Sequence, residues 1–530
     1  MKKIVLNIIR VSIIMIAIVI CYHYIDRERI FNEQHEFGVE LVSKEQIAKL
    51  IENKERKALT PIYLEYEEEK IPYDSVDKVL YVSQSMQTKE WQGTFRSAKE
   101  EYTLYLLEDK MLKEKEKAIA NAHRFRFYLV SEEKYMTGTI VFSGLPTVCI
   151  RGVDNDSLAD VVINDPDSEN GISLIHTKCT FHKRGSASAG YDKSNYKISL
   201  CDENKEKVKE SLLGMRKDDD WILSGLYTDK SKIREKMAYT LWKEINDLEE
   251  HPIASSNVEY VEVFLNNEYM GIYLLMEPID GKQMDMDPGD QLYKIRRWEL
   301  PDYGNFDICE DWLDLYNYDG GKLVSIKYPK SEEDSYSWEP LRNYMEYFLT
   351  DESLHGDGTV PRMDMDNMLD YYLFCQLTNA TDNLWKNVYL AAYLEDDGNY
   401  TFYKTVWDLN YTWGDTWDSP EENLWTKFSY PDGTILSIAD YDTYAQEDPE
   451  GMKNLAYKKW QQWKDAGITA EHLQNMADEY KEMLLHSGAF ARDKQKWPDC
   501  RDTSSTAKIK KWIKLQFLSI DKYFEDTGER

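Results

Sequence analysis

The segment from Asp382 to Asn410 reads DNLWKN at 382–387, VYLAAYLEDDGNYTFYKTV at 388–406 and WDLN at 407–410. Its middle part contains two runs of aromatic and β-branched residues, Val388–Tyr393 and Tyr400–Val406. The turn-forming residues DDGN at 396–399 separate them. This pattern predicts a β-hairpin. The two polar motifs therefore directly precede and directly follow a hairpin.

The spacing of the polar residues around this hairpin is typical of phosphoryl-transfer chemistry. Asp382 and Asn387 are five positions apart, as in the catalytic loop of protein kinases, and Asp408 follows 26 residues after Asp382. In such enzymes one carboxylate orients the acceptor hydroxyl, while an Asn and a second carboxylate hold Mg²⁺ on the phosphates. The alternative is that Asp382 and Asp408 only cap local turns.

A small-residue loop lies upstream, between two predicted strands. Strand Thr177–Lys183 leads into Arg184-Gly185-Ser186-Ala187-Ser188, and a second strand runs through Lys193–Leu200. Backbone amides of such a loop can approach phosphates, and a strand lysine can neutralise them. An ordinary β-hairpin is the alternative for this segment taken alone.

Other catalytic signatures are absent from the sequence. GSASAG at 185–190 has the wrong glycine–serine spacing for a nucleophile elbow, and Tyr191 stands where a Walker A loop needs lysine. The nine histidines form no HExxH motif, and the DMD sequences at 285–287 and 364–366 do not continue into an EF-hand.

The order of predicted elements indicates an α+β chain with two lobes. Residues 138–300 form a β-rich lobe with one helix, Lys230–Glu244, and a hairpin, Val258–Leu265 and Tyr269–Met276, that turns at Asn266-Asn267. Residues 301–525 are mainly helical, with an apolar helix at Met368–Leu377 that Asp366 or Asn367 could cap.

The N-terminal part is predicted to anchor and space these lobes. Lys2 and Lys3 precede an apolar run, Ile4–Ile25, of about the length that spans a bilayer. Residues 1–29 are therefore predicted to be a signal anchor of a single-pass membrane protein, with the domain outside the cytoplasm. A removed signal peptide is the alternative. Residues 30–137 are predicted to be a charged helical stalk or small module, including a long helix, Ala98–Asn121, capped by Ser97.

Composition excludes several classes of protein. Of 530 residues, 65 are Lys or Arg and 96 are Asp or Glu, a net charge of −31 that argues against a general nucleic-acid binder. Hydrophobic residues make up 42% of the chain, which excludes wholesale disorder. The seven cysteines include no CxxC motif, so buried thiols are favoured over a zinc knuckle, and extracellular disulfides remain an alternative.

Several segments together resemble the spore coat protein H (CotH) kinase family of atypical protein kinases, from about Leu145 to Arg492. These segments are the Arg184 loop with KSNYKI at 193–198, GMRKDDDWIL at 214–223, Asp229 with Ile233-Arg234, the hairpin ending in MEPID at 276–280, and the two motifs around Asp382 and Asp408. The resemblance implies a two-lobed kinase-like fold that binds ATP and Mg²⁺, with Mn²⁺ as a substitute.

The resemblance also implies roles for individual residues. Asp382 and Lys197 are the candidate catalytic residues. The candidate metal ligands are Asn387, Asp408 and Asn410. The candidate nucleotide-binding residues are Arg184, Ser186, Lys193, Lys197 and Glu277.

Two of these assignments depend on further reasoning. Lys197 is preferred as the phosphate lysine because it lies on the strand face opposite Tyr196 and Ile198, which are expected to point into a core, and Lys193 is its competitor. Glu277 closes a strand where a kinase hinge begins, so it is expected to line the adenine pocket. Glu235 on the lone helix could pair with the lysine.

The predicted function is phosphorylation of Ser or Thr hydroxyls on coat or cell-surface proteins. The sequence departs from the family at Asn410, where a second Asp is usual, and at Val406, where a proline is frequent. The alternative function is a non-catalytic surface scaffold or adhesion module on the same fold.

Overall fold

The computed structural model describes residues 35–169, 171–185, 187–249, 253–296, 324–329, 338–349, 361–416, 427–428 and 435–525. Strands dominate the first half of the chain and helices the last quarter. This confirms the predicted mixed α+β class. The kinase-like division into two lobes stays a prediction.

The N-terminal unit is built on an eight-stranded sheet with a phenylalanine-rich core that includes Phe37, Phe95, Phe127 and Phe142. Its strands are β1 (His35–Glu36), β2 (Val39–Val42), β3 (Glu55–Arg56), β4 (Leu64–Tyr66), β5 (Glu69–Lys70), β6 (Tyr73–Asp74), β7 (Val79–Ser83), β8 (Phe95–Ser97), β9 (Thr103–Leu107), β10 (Phe125–Val130) and β11 (Lys134–Ser143). The main sheet has the order β1-β2-β9-β10-β11-β7-β6, with β3 also paired to β11, while β4, β5 and β8 form a small second sheet. Two short helices complete the unit, α1 (Lys44–Leu50) and α2 (Lys115–Ala120).

The long helix predicted within residues 30–137 is therefore wrong, while the role of this part as a stalk or small module stays a prediction. The proposed helix Ala98–Asn121 is divided between strand β9, a 3₁₀ turn at Lys110–Lys113 and the short helix α2. Ser97 ends strand β8 instead of capping a helix. The run TLYLL at 103–107 pairs with β10 on one side and β2 on the other, and this sheet pairing outweighs the helix-favouring charged residues around it.

A closed barrel of seven strands follows. Its strands are β12 (Thr147–Arg151), β13 (Ala159–Ser168), β14 (Gly171–Arg184), β15 (Asn195–Cys201), β18 (Asp220–Ser224), β19 (Val258–Leu265) and β20 (Glu268–Met276), and β16 (Glu210–Ser211) pairs with β17 (Lys217–Asp218) outside it. The barrel closes in the order β12-β13-β14-β15-β18-β20-β19. Its core includes Tyr196, Ile198, Trp221 and Tyr273. Since β14 ends at Arg184 and β15 begins at Asn195, the small-residue loop connects two barrel strands.

The predicted hairpin of the first lobe is confirmed. Strands β19 and β20 pair from Val258↔Met276 to Leu265↔Glu268. Asn266 and Asn267 have φ values of 51° and 64°. Asparagine tolerates this left-handed conformation, and a two-residue turn of this kind matches the twist of the strands it joins.

Helix α3 (Arg234–Asn246) packs in the main core of the chain, where Ile233, Met237 and Leu241 are fully buried. It begins four residues later than predicted. The Asp229 carboxylate accepts hydrogen bonds from the backbone N–H groups of Ser231 and Arg234, both 2.8 Å long, so the preceding residues form a capping turn.

A five-stranded sheet carries the second predicted hairpin. Its strands are β21 (Gln291–Ile295), β22 (Val324–Tyr328), β23 (Arg362–Met363), β24 (Val388–Leu394) and β25 (Tyr400–Val406), in the order β22-β21-β24-β25-β23. Strands β24 and β25 pair from Val388↔Val406 to Leu394↔Tyr400, as the sequence predicts. A two-stranded sheet pairs β26 (Asp415–Thr416) with β27 (Lys427–Phe428).

The other helices in the described part of the chain pack around this sheet and α3 in one hydrophobic core. They are α4 (Glu339–Leu349), α5 (Met365–Thr378), α6 (Ala439–Glu447), α7 (Pro449–Asp465), α8 (Ala470–His486), α9 (Ala489–Lys496) and α10 (Ala507–Glu525). Helix α5 is capped by Asp364, whose side chain accepts from the N–H of Asn367, and not by Asp366 or Asn367.

The predicted localisation requires correction. In the described ranges between residues 35 and 525, no helix combines the length and the apolar character needed to cross a membrane. Helix α10 is 19 residues long, but lysines interrupt its sequence. The predicted anchor at residues 1–29 lies outside the described residues. The prediction of a single-pass membrane protein is therefore not upheld.

The described cysteines are buried thiols, as predicted. Cys149, Cys179, Cys201, Cys375 and Cys500 are all buried and form no disulfide. Burial raises the pKa of the Cys375 thiol to about 12, so this group stays protonated and unreactive at neutral pH.

Candidate active site

Asp382 lies in a short turn directly after helix α5. Asn379 ends the helix in the left-handed conformation, at φ 57°, and a 3₁₀ turn follows at Thr381–Asn383. The Asp382 side chain is buried and accepts hydrogen bonds from Asn387 Nδ2 at 2.8 Å and from Lys386 Nζ at 3.0 Å. The turn therefore holds the carboxylate in a defined orientation.

Asn383 connects this turn to the end of the hairpin. Its Nδ2 donates to the backbone oxygens of Asn387 at 3.1 Å and Trp407 at 2.7 Å. Its own backbone oxygen accepts from the Tyr371 hydroxyl on helix α5 at 2.6 Å. Since Trp407 immediately precedes Asp408, these bonds hold the two aspartates in neighbouring positions.

Asp408 differs from Asp382 in its surroundings. Its side chain is accessible to solvent, and its carboxylate makes no hydrogen bond with the residues that the structure describes. The backbone is left-handed, at φ 60°, and its N–H donates to the Tyr239 hydroxyl at 3.1 Å. Burial raises the pKa of Asp408, and the negative charge of Asp382 raises it further. The Asp408 carboxylate is therefore accessible to a ligand, and we call its surroundings, formed with Asp382, Arg184 and Lys294, the candidate cleft.

Two cations lie over the rings beside Asp408. The Arg184 guanidinium is 5.4 Å from the centre of the Trp407 ring, and Lys294 Nζ is 4.6 Å from the same ring and 4.9 Å from that of Tyr389. Burial lowers the pKa of Lys294 well below its usual value, and repulsion from Arg184 lowers it further. Neither cation forms an ion pair with a carboxylate in the described ranges. The Arg184 guanidinium is positively charged, and a bound anionic ligand would favour the protonated, charged form of Lys294.

Sequence reasoning missed Lys294. It lies in β21, a short run that pairs with β22 and β24, and its backbone lies opposite Tyr389. The signal available in the sequence was a lysine within the apolar run Leu292–Ile295, since a charged residue in a central strand requires a special environment.

Glu235 is a buried acid beside this cleft. It is 4% exposed and accepts a hydrogen bond of 2.7 Å from the Ser224 hydroxyl. Burial, and after it the charge of Asp408, raise the pKa of Glu235 to about 8. Its hydrogen-bond partner is Ser224 and not one of the predicted lysines.

The two lysines of the KSNYKI segment occupy different environments. Tyr196 and Ile198 point into the barrel core as expected, and Lys197 lies on the other face, where it pairs with Asp220 at 3.0 Å. Lys193 is completely buried, in an ion pair with Asp493 of helix α9. Both ammonium groups therefore have carboxylate partners within the protein.

Glu277, a predicted nucleotide residue, and Asn410, a predicted metal ligand, are each engaged in hydrogen bonds with other parts of the protein. Glu277 is 1% exposed, and its carboxylate accepts from the backbone of Arg216 at 2.8 Å and from Asn257 Nδ2 at 2.8 Å. Glu277 thus connects two neighbouring segments through hydrogen bonds, and its side chain is too buried to contact an adenine base. Asn410 Nδ2 donates to Thr228 Oγ1 at 2.9 Å. Ser186 lies outside the described residues.

A large cavity lies elsewhere in the molecule. It has a volume of about 980 Å³ between the barrel, the N-terminal unit and helix α8, and no predicted site residue lines it. Its walls carry Asp165, Asp167, Glu169 and Glu259. Such a lining repels polyphosphates, so cavity size does not identify a nucleotide site in this protein.

The family of the chain follows from its sequence comparison. The family model described as CotH kinase protein matches residues 181–516, which is more than half of the chain and includes Arg184, Lys294, Asp382 and Asp408. The chain belongs to the CotH kinase family. Membership confirms the resemblance drawn from the sequence motifs and indicates a kinase-like function. No curated protein matches the chain.

The CotH kinase match begins inside strand β14 and extends into helix α10. The N-terminal unit and strands β12 and β13 precede it. The match covers Arg184, the α3 helix, both hairpins and both aspartates, so all groups described at the cleft come from the family region.

A divalent cation is compatible with the residues at this cleft. No cluster of three or more His, Cys, Asp or Glu side chains suited to a metal occurs in the described part of the chain. Mg²⁺ does not require one, because it keeps several waters and commonly takes one or two carboxylates together with substrate phosphates. The accessible Asp408 carboxylate, with Asp382 and Asn387 beside it, provides oxygen ligands of this kind.

Proposed function

We propose that this CotH kinase transfers the γ-phosphoryl group of ATP, with Mg²⁺ or Mn²⁺, to a Ser or Thr hydroxyl of a coat or surface protein. The observation that carries the proposal is the contrast between the two aspartates. Asp382 is buried and held by hydrogen bonds. Asp408 is accessible, its carboxylate accepts no hydrogen bond from the described residues, and it lies near Arg184 and Lys294.

Asp408 is proposed as the principal metal ligand, with Asn387 second and Asn410 third. The raised pKa of Asp408 supports this assignment, since a cation bound between Asp408 and Asp382 would relieve the repulsion of the two carboxylates. The metal, when bound, supplies positive charge that neutralises the transferred phosphoryl group.

Arg184 and Lys294 are proposed as the principal phosphate-binding cations. They lie on opposite structural units, at the end of a barrel strand and in the five-stranded sheet, and both lie over Trp407 beside Asp408. Lys197 stays a candidate, but contact with phosphate would require it to leave Asp220.

The metal assignment is tested with Asp408→Asn. We expect Mg²⁺ to strengthen ATP binding to the wild-type protein and to have no such effect on Asp408→Asn, with an affinity loss of about tenfold or more, because one charged contact of ~1.5–3 kcal/mol is removed. The measurement is calorimetric titration of ATP with and without Mg²⁺. Asp396→Asn, in the exposed hairpin turn, is the matched control.

This titration, together with an assay of phosphate transfer to protein acceptors, decides between kinase and scaffold. If Asp408→Asn binds ATP as wild type does, the metal assignment is wrong. If the wild-type protein also transfers no phosphate to any protein acceptor, the kinase proposal gives way to the non-catalytic scaffold.

The two lysine candidates are separated by parallel substitutions. Lys294→Gln is expected to weaken Mg·ATP binding about 10- to 100-fold, the loss expected for one hydrogen bond to a charged group. Lys197→Gln, which removes a partly exposed pair with Asp220, is expected to change it by less than about threefold. Calorimetry on both variants shows which substitution weakens Mg·ATP binding more. A larger loss of affinity in Lys197→Gln would identify Lys197 as the phosphate-binding lysine.

A further inference from the structure

We infer that a second site, separate from the proposed nucleotide cleft, binds a dianionic phosphoryl group. The site is a cavity of about 220 Å³ between the turn before helix α3 and the segment before helix α10. Three cations, three hydroxyl groups, one carboxylate and one apolar side chain line it: Lys230, Arg234, Lys508, Ser231, Thr503, Ser505, Asp415 and Ile509. We call it the basic pocket. Neither Arg184 nor Lys294 belongs to it.

The walls of the basic pocket are joined by hydrogen bonds, so the pocket exists before any ligand binds. The Thr503 N–H donates to the Lys230 carbonyl at 2.9 Å. Lys481 Nζ, which is 3% exposed, donates to the carbonyls of Ser231 and Thr503. A preformed site loses less conformational entropy when it binds its ligand.

The three cations that line the pocket outnumber its one carboxylate, Asp415, so the lining is net positive in a chain whose net charge is −31. Burial lowers the pKa of Lys230, and although Asp415 opposes this, Lys508 and Arg234 lower it further. A lysine whose pKa is lowered by neighbouring cations lies in a positive electrostatic potential. A bound dianion would reduce the repulsion between these cations.

Arg234 provides an independent indication of a ligand. It is 6% exposed and its Nη1 is bonded to Asp229 at 2.7 Å, yet its Nε has no hydrogen-bond partner in the described residues. Asp415 Oδ2 forms an ion pair with this Nε at 3.6 Å, a separation too long for a hydrogen bond. The guanidinium therefore has unused donor capacity at a pocket that it lines.

Phosphoryl groups suit this lining better than other anions. Lysine and arginine donate charge-assisted hydrogen bonds to phosphate oxygens, and the hydroxyls of Ser231, Thr503 and Ser505 can donate to the remaining ones. The source can be inorganic phosphate or a phosphorylated Ser or Thr side chain. The inference does not depend on the proposed function.

The test is calorimetric titration of the full-length chain with inorganic phosphate at constant ionic strength, with chloride as the reference salt. We expect wild type to bind phosphate and the double variant Lys230→Gln/Lys508→Gln to bind it at least about tenfold more weakly, as expected when charge-assisted contacts are lost. The matched control is Lys514→Gln/Lys522→Gln, which removes the same charge from exposed positions of the same helix and is expected to bind as wild type does.

A second arm identifies the source of the phosphoryl group. A phosphoserine peptide and its unphosphorylated form are titrated in the same way, and only the phosphorylated form is expected to bind. Asp408→Asn should keep the response to phosphate, because Asp408 lies outside the basic pocket. Equal binding of phosphate by wild type and the pocket variant, or no binding of phosphate and phosphopeptide by wild type, would overturn the inference. Since a variant could unfold, its thermal midpoint is measured alongside, and folded protein is required for the comparison.

Discussion

Asp493→Ala is expected to lower the free energy of unfolding by about 3–5 kcal/mol, the range for breaking a buried ion pair by removing one partner. Asp493 on helix α9 is completely buried between two equally buried lysines, Lys193 and Lys232. Burial alone would raise the pKa of Asp493, but the two lysines hold it below its usual value. Without the carboxylate, Lys193 would be left as an unpaired charge in the core.

The same carboxylate also accepts a hydrogen bond from a backbone N–H group. Asp493 Oδ1 accepts from the N–H of Ile272 in β20 at 2.7 Å, beside Gly271, where a Cβ would lie 2.1 Å from that oxygen. The loss of this acceptor adds to the destabilisation. Because Lys193 follows the small-residue loop and Lys232 precedes α3, the substitution should also loosen the two segments that lead to the cleft.

The measurement is the thermal and urea unfolding transition followed by tryptophan fluorescence. Lys496→Gln is the control on the same helix, since its pair with Glu268 is partly exposed and is expected to contribute less than about 1 kcal/mol. If Asp493→Ala unfolds like Lys496→Gln, the buried cluster of Asp493, Lys193 and Lys232 does not stabilise the fold.

Asp382→Asn is expected to lower the rate of phosphoryl transfer by about 10²- to 10⁴-fold, the usual effect of removing a positioned acid–base group. The affinity for Mg·ATP should stay within about threefold of wild type. The reason is that Asp382 is assigned to the acceptor hydroxyl and Asp408 to the metal. An asparagine has nearly the same shape and keeps an acceptor oxygen for Asn387 or Lys386.

Transfer of ³²P from ATP to a protein acceptor and calorimetric ATP binding are measured on the same preparation of Asp382→Asn. Asp396→Asn again serves as the control for an aspartate in the same region. A variant that transfers phosphate at the wild-type rate would remove Asp382 from the reaction. A variant that loses ATP binding as Asp408→Asn does would mean that both carboxylates hold the metal.

Local patterns predicted local elements well. The hairpins β19–β20 and β24–β25 appear where alternating apolar residues and turn residues indicated them. Each hairpin is a contact between neighbouring segments, so its turn chemistry and residue pattern are contained in one short stretch. The thiol state of the described cysteines was predictable for a similar reason, because small apolar side chains without CxxC spacing are usually buried.

The N-terminal unit was predicted less well because its structure depends on pairing between distant strands. Strand β9 at Thr103–Leu107 lies between β2, about 60 residues earlier, and β10, about 20 residues later. The charged residues around β9 favour a helix locally, but pairing with the neighbouring strands β2 and β10 stabilises the strand conformation.

The sequence by itself determined the family, the α+β class and the order Asp382, Asn387, Asp408 around a hairpin. Each of these depends only on residue types and on their separation along the chain. Only the tertiary structure decided which cations are available to a ligand. Lys193 meets Asp493, 300 residues away, and becomes a buried structural charge, while Lys294 lies over Trp407 beside Asp408 without a carboxylate partner in the described residues. The charge state and availability of a lysine depend on burial and on neighbours brought together by folding, and local spacing carries no information about either.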